Sequence, residues 1–471
     1  MSTILNPQLE RRLRRDVQGD VLFSSADRGR YATDASIYQM MPTGVVVPKH
    51  FDDVLASLDA AREAGISILS RGGGTSQCGQ TVNSGLVVDN SKHLNRILEL
   101  DVEGRRCIVE PGIVLDELNR ALKPHGLWFP VDVSTASRAT IGGMAGNNSC
   151  GGKSIRFGTM RDNVIAIEAV LADGSERRFS SLSQDASTRP DDAVTRELLA
   201  IGAREAEEIE ARFPKVQRRV GGYNLDALVP ALAPQNLSHI LVGSEGTLAC
   251  FKTIELKLSP VVGNKVMGIC HFPSFYAAMD AAQHLAKLAP LSVELVDATM
   301  IGLARDIAMF RPTIEAVVRG APAALLLVEF DEGDAHKNQE KLAELDQLMG
   351  DLGFVWNGGI ENVGGAVPVL DAATQKTLED QESSREQLEL IKAETMYPGM
   401  TVSKHQAVTC PNPSHRISQE PQGLALAPRR RRAAGRPQAA AARWHAPLLR
   451  ARCCGRSAGL RRGARSASTS T

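Results

Sequence analysis

No apolar stretch of this 471-residue chain approaches the roughly 20 residues that a membrane-spanning helix needs, which excludes a helical span. The first residues, MSTILNPQLERRLRRD, carry charges where a secretory leader keeps its apolar core. The eight cysteines (78, 107, 150, 250, 270, 410, 453 and 454) show no Cys-x-x-Cys spacing. That excludes a locally encoded zinc site or iron–sulfur cluster, and scattered cysteines of this kind point to reduced thiols. No two histidines stand four apart, so no helical histidine pair offers a metal site. Charge is balanced overall at 54 basic and 54 acidic residues, but unevenly spread. Residues 401–471 hold 13 Arg, one Lys and a single acid, Glu420, for a net of +13. The first 400 residues hold 40 bases against 53 acids, which argues against a basic nucleic-acid-binding body, and no nucleic-acid partner is expected.

What is present is an alternation of short strands and helices long enough for two or three domains. Residues 1–20 read as a short charged helix. Val45–Val47 is a β-branched strand ended by Pro48. A helix follows over 51–64, with Phe51, Leu55 and Leu58 on one face and Asp52 and Asp53 in the first turn. Strands are expected at 66–69, 86–88, 97–100 and 107–109, a helix at 113–122, and a strand at 164–171 closed by Asp173-Gly174. A polar helix over 194–212 and a strand over 239–242 come next. After residue 263 the pattern restarts with strands at 264–272, 292–296, 324–330 and 353–356 and helices at 275–288 and 335–349. Beyond residue 378 the apolar periodicity fails, and the last 70 residues carry Pro, Ala, Ser and Arg runs for which disorder is expected.

Three glycine-bearing segments could carry chemistry. Arg71-Gly72-Gly73-Gly74-Thr75-Ser76 follows a strand directly, and residues without Cβ let successive N–H groups turn toward one anion. It is not a nicotinamide fingerprint, because Gln77 stands where the third glycine belongs. Residues 137–163 contain six glycines. Gly152-Lys153-Ser154 there mimics a nucleotide-hydrolase phosphate loop, yet Asn147 occupies the position of its first glycine. The segment reads better as backbone packed against a flat ligand, with Thr140, Asn147, Asn148 and Ser149 supplying hydrogen bonds. Gly243-Ser244-Glu245-Gly246-Thr247 is the third, read as a turn between two strands. His50, His93 and His125 read as surface or loop residues, Cys150 as a loop thiol with no visible activator, and Asp331, Glu332 and Asp334 as a solvated acidic turn.

In this order the three segments resemble the FAD-binding domain of the vanillyl-alcohol oxidase / p-cresol methylhydroxylase (PCMH-type) superfamily. The resemblance runs over about residues 25–375 and rests on YATDASIYQMMPTGVVVP (31–48), SRGGGTSQCGQTVNSGLVVDNSKHLNRI (70–97), VEPGIVLDELNRAL (109–122), STASRATIGGMAGNNSCGG (134–152) and GSEGTL (243–248). Within the superfamily the chain is similar to FAD-linked D-2-hydroxy acid oxidases such as D-lactate and glycolate dehydrogenases, and most of all to long bacterial members with an added iron–sulfur module. The resemblance implies an α+β fold: an N-terminal helical segment (1–35), a two-subdomain FAD-binding domain (36–262) and an incomplete α+β cap domain (263–378), an antiparallel sheet with helices on one face. Residues 379–471 would be an aberrant, Arg-rich tail.

It further implies that the backbone of Arg71, Gly72, Gly73, Gly74, Thr75 and Ser76 wraps the pyrophosphate. Thr140, Gly142, Gly143, Asn147 and Ser149 would line the ring and ribityl side, and Glu245, Gly246 and Thr247 would close over the cofactor. Members with covalent flavin carry a His in the first loop, where this chain has Gly-Thr-Ser, so non-covalent FAD is expected. The implied partners are a small 2-hydroxy acid and a quinone, cytochrome or iron–sulfur electron acceptor. The implied location is the cytoplasm, either free or peripheral to the inner membrane. Relatives continue near residue 378 with a Leu-Trp-x-x-Arg signature whose arginine anchors the substrate carboxylate. Here Leu378-Glu379-Asp380-Gln381-Glu382 stands instead, so no catalytic residue is assigned, and a shifted reading frame is expected near that point. A catalytically inactive FAD-binding remnant is the alternative to an active dehydrogenase.

Overall fold

The computed structural model of the chain describes residues 6–183, 192–216, 218–232, 235–261, 263–356, 364–370 and 374–375. The tail, with the proposed frame change, lies outside the described residues.

The first sheet contains β1 (Asp20–Leu22), β2 (Gly44–Val47), β3 (Ile68–Arg71) and β4 (Leu86–Asp89), in the order β1-β2-β4-β3. β2, β4 and β3 run parallel and β1 pairs antiparallel to β2. Parallel strands need a crossover, and the helix Phe51–Ala64 supplies it between β2 and β3. That helix ends at Gly65, whose φ of 64° is the left-handed conformation a helix stop uses. Its first-turn Asp53 is buried and accepts the backbone N–H groups of Gln18, Gly19 and Lys49 at 2.7–3.0 Å. The N-terminal helix Pro7–Asp16 buries Leu9 and Leu13 in the same core as Phe23, Val46, Ala60 and Leu86.

The second sheet is wholly antiparallel. It comprises β5 (Ile97–Asp101), β6 (Arg106–Val109), β8 (Val164–Leu171), β9 (Glu176–Ser180) and β10 (Ala249–Lys257), in the order β5-β6-β10-β8-β9. A small ladder between β7 (Leu127–Trp128) and β11 (Ser259–Pro260) follows on. The largest apolar core, with Phe129, Ile141, Met160, Ile167 and Leu228, lies against this sheet.

The third sheet has β12 (Val266–Phe272), β13 (Ser292–Asp297), β14 (Ala324–Phe330) and β15 (Ala366–Val369), ordered β13-β14-β12-β15 and all antiparallel. Helices cover both of its faces, not one as expected. Helices Phe275–Leu285 and Ala335–Asp351 bury Cys270, Phe272, Leu326 and Val328 on one side. Helices Ala298–Asp306 and Arg311–Val317 bury Met267, Ile269, Leu325 and Leu327 on the other. β12 and β14 are buried at every position, so neither side of these strands could face water.

Two expected strands are absent. Residues 239–242 fall largely in a short helix, Ser238–Leu241, because the Asn236 side-chain Oδ1 accepts Ser238 N and Oγ and starts a helical turn. Residues 353–356 form no strand. Phe354 N closes the preceding helix on Met349 O, and its ring packs edge-on against Phe272 at 4.9 Å. The edge position belongs to β15, which sequence reading missed.

Candidate functional site

The first glycine segment leaves the C-terminal end of β3. Arg71 is buried, and its guanidinium donates to the carbonyls of Tyr31 (3.2 Å), Thr33 (2.8 Å) and Thr81 (2.8 Å) while lying over the Tyr31 ring. Burial pulls the Arg71 pKa down, opposed by Asp89 and Asp34. Burial, with Asp89 beside it, raises that of Tyr31, whose hydroxyl donates to Asp89 Oδ2 at 2.8 Å. The Arg71 side chain is therefore a hub that shapes the loop. The loop's own backbone is the notable part: the N–H groups of Gly72 through Ser76 donate to no other described residue. Successive uncommitted amides of this kind form an anion-binding concavity.

The second segment is more regular than expected. Ile141–Asn147 is a helix, capped by Thr140 Oγ1 accepting Gly143 N (3.3 Å) and ended by Asn148 at φ 54°. Ile141, Met144 and Ala145 face the core, which leaves Gly142, Gly143 and Gly146 on the cleft side. A Cβ on Gly142 would lie 2.6 Å from Pro111 Cβ and 2.7 Å from Pro111 O. A Cβ on Gly72 would collide with Thr140 Oγ1, so bare backbone is what lets the first two segments meet.

The third segment runs from a short helix, not a strand, into β10. Gly243 N and Glu245 N donate to Ala145 O (2.9 Å) and Gly146 O (2.8 Å), locking it to the second segment. Glu245 takes a φ of 50°, and its Oε1 accepts from Asn147 Nδ2 at 2.9 Å and from Gln80 Nε2 at 3.4 Å. Beneath the turn, Arg161 Nη1 donates to Asp226 Oδ2 (2.8 Å) and Arg219 Nη2 to the same oxygen (2.6 Å), while Asn224 Nδ2 holds Val242 O (2.8 Å). Burial works to raise the Asp226 carboxyl, and the two guanidinium groups overcome it and hold it below the usual range.

The three segments border one cleft, partly open to solvent. Of the candidate residues, Arg71, Gly72, Thr140, Gly142, Gly143, Glu245 and Gly246 line it. Gly73, Gly74, Thr75 and Ser76 continue the first loop beyond that lining. Asn147, Ser149 and Thr247 stand behind it: Ser149 Oγ donates to Asn147 Oδ1 (3.1 Å), and Thr247 Oγ1 to Ser244 O (2.6 Å). Sequence reading missed Gln80, Asn90, Pro111 and Phe251, which also line the cleft. No glycine pattern marks them, although Gln80 and Asn90 lie in the quoted 70–97 stretch and Pro111 in 109–122. Arg71 and Glu245 are the charged side chains of the lining, and the former is spent on carbonyls. An anion here is left to neutral N–H donors.

Two expectations need correction. The acidic turn at 331–334 is structural: Asp331 is buried, Arg156 donates to Asp331 O (2.7 Å) and Glu332 Oε1 (2.6 Å), and Asp334 caps the helix that follows. Cys150 is not without a neighbour either, since Arg218 Nε lies 2.8 Å from its Sγ.

A row of free amides and a glycine-walled cleft are what a dinucleotide with a diphosphate needs, and FAD fits that donor set. Residues 42–180 match the family described as FAD binding domain, and residues 263–375 match FAD linked oxidases, C-terminal domain. The chain belongs to the PCMH-type FAD-linked oxidases. FAD is the cofactor of this family. A D-2-hydroxyglutarate dehydrogenase of Pantoea ananatis is 33% identical over 357 residues, 73% of this chain and 35% of that protein. A D-lactate dehydrogenase of Archaeoglobus fulgidus is 30% identical over 70% of this chain and 66% of its own length. Among solved structures, alkyldihydroxyacetonephosphate synthase superposes with a TM-score of 0.57 at 17% identity, over 82% of this chain and 65% of that one, a likeness of fold. The chain spans about a third of the length of the D-2-hydroxyglutarate dehydrogenases it matches. No helix among the described residues is long and apolar enough to cross a membrane.

Proposed function

We propose that this chain is the FAD-binding part of a dehydrogenase that oxidises a D-2-hydroxy acid to the 2-oxo acid. The uncommitted amide row at Gly72–Ser76, whose first residue lines the cleft with Gly142, Gly143 and Gly146, is the observation that carries the reading. On this reading residues 36–262 bind the cofactor, residues 263–378 begin the cap, and residues 1–35 precede them. The backbone of Gly72 to Ser76 holds the diphosphate. Gly142, Gly143 and Gly246 give the rest of the cofactor access to main chain, with Asn147, Ser149 and Thr247 fixing that wall from behind. Bound FAD supplies a two-electron acceptor for the hydride on the substrate's α-carbon. Arg156, gripping Asp331 O and Glu332, ties the second glycine segment to the cap. The electrons leave to a quinone, a cytochrome or an iron–sulfur module. A location in the cytoplasm or at the inner membrane surface accords with this chemistry.

The test is a visible spectrum of the purified chain with FAD, followed by D-2-hydroxyglutarate, D-lactate or glycolate without oxygen. Yellow protein that bleaches with one of these acids is expected. A preparation that stays colourless in excess FAD refutes the proposal. A second reading, FAD binding without turnover, is favoured by one observation: among the described residues, no histidine and no arginine other than the committed Arg71 lines the cleft. Yellow protein that none of the three acids bleaches would select it.

A further inference from the structure

One polar group in the cleft lacks a partner. Asn90 follows β4 beside the start of the first glycine loop and is only 5% exposed. One residue past the end of that strand, its backbone is committed at both groups: N donates to Arg71 O at 3.0 Å, and O accepts Leu94 N at 3.3 Å. Its Nδ2 donates to Ser70 Oγ at 2.7 Å. Its Oδ1 is buried with no donor among the described residues, though Asn90 lines the cleft with Gly72 and Gly142. A buried amide oxygen left unpaired is costly, and an Asn so tightly placed cannot turn it to water.

We propose that Asn90 is a ligand-reading residue, whose Oδ1 accepts a sugar hydroxyl next to the diphosphate of the bound dinucleotide. The placement follows from the amide row, which begins at Gly72, one residue beyond the Arg71 carbonyl that Asn90 N engages. A dinucleotide has hydroxyls on both sides of its diphosphate, ribose on one and ribityl on the other. Both offer the same chemistry, an O–H donor. The inference rests on the flavin reading above and adds a selectivity determinant to it. Residue 90 lies within the matched domain, but no glycine pattern singles it out.

The experiment uses the full chain and three probes, FAD, ADP and FMN, with Asn90→Leu and Asn90→Ala beside the unaltered protein. Leucine keeps the same number of side-chain heavy atoms and removes both the unpaired oxygen and the Nδ2 donor to Ser70 Oγ. Its ligand-free melting temperature should therefore change little, the lost Ser70 contact offsetting the removed unpaired oxygen, while its FAD affinity falls roughly tenfold, the worth of one hydrogen bond. The alanine variant, free of any packing conflict, should weaken FAD in the same direction. Loss of ADP affinity with FMN unaffected assigns the hydroxyl to ribose, and the converse assigns it to ribityl. Equal FAD affinity in the unaltered and leucine proteins overturns the inference and leaves the flavin reading standing. An unaltered chain that binds none of the three probes removes the flavin reading, and this inference with it.

Discussion

Lowering the pH from 7 to 5 should destabilise this protein steeply, and His271 should carry about half of the effect. His271 is fully buried on β12. Its Nε2 accepts the backbone N–H of Arg319 at 3.1 Å, so that nitrogen is unprotonated, and Nδ1–H donates to Ile269 O at 2.9 Å. A second proton on Nε2 would face the Arg319 N–H in a site closed to solvent. Burial, with the Arg319 charge beside it, brings the pKa down to about 4. Burial likewise brings His239 down to about 4, with Arg161 adding repulsion.

Both folded values lie below the ordinary His value of about 6.5, so the unfolded chain binds more protons between pH 6.5 and 4. The stability tied to each neutral ring is present above pH 6.5 and is lost as pH falls. Linkage gives about 1.8 kcal/mol per histidine between pH 7 and 5, or roughly 4 kcal/mol for the pair. Asp226 acts lower, since a carboxyl held below its range loses its contribution only as pH falls through and below about 4. Urea unfolding at several pH values measures the slope. In His271→Phe the ring packing against Trp356 persists, but two hydrogen bonds are lost, at a cost of about 2 kcal/mol at pH 7. The loss from pH 7 to 5 should then shrink to about 2 kcal/mol. A variant with the pH dependence of the unaltered protein would refute the argument.

Gly142→Ala should cost roughly 1–3 kcal/mol, because the added methyl meets Pro111 backbone, and should abolish flavin retention, seen as loss of absorbance near the visible flavin band. Flavin should leave in the supernatant after acid or heat precipitation, since the first loop has Gly-Thr-Ser and no His; colour that stays with the denatured polypeptide would contradict non-covalent binding. Asp53→Ala strips three backbone donors of their acceptor and should destabilise the first sheet by about 3 kcal/mol, read from a urea midpoint. Arg161→Met leaves Asp226 buried beside Arg219 alone and should lower the melting temperature and FAD affinity together, measured by thermal shift with and without FAD.

The sequence alone settled whatever depends on local chemistry. The helix 51–64, the β-branched strand before Pro48 and the three glycine segments all follow from periodicity and from missing Cβ atoms, which act within a few residues. Tertiary packing decided the rest. Residues 239–242 are β-prone, but Asn236 holds Ser238 and starts a helical turn there. Arg71 looked like part of an anion site until three carbonyls from loops 10 to 40 residues away claimed its guanidinium. Helices on both faces of the third sheet became visible only when β12 and β14 proved buried throughout. Asn90 sits in the cleft because β4 lies beside β3, and no local pattern encodes a partner brought near by strand pairing.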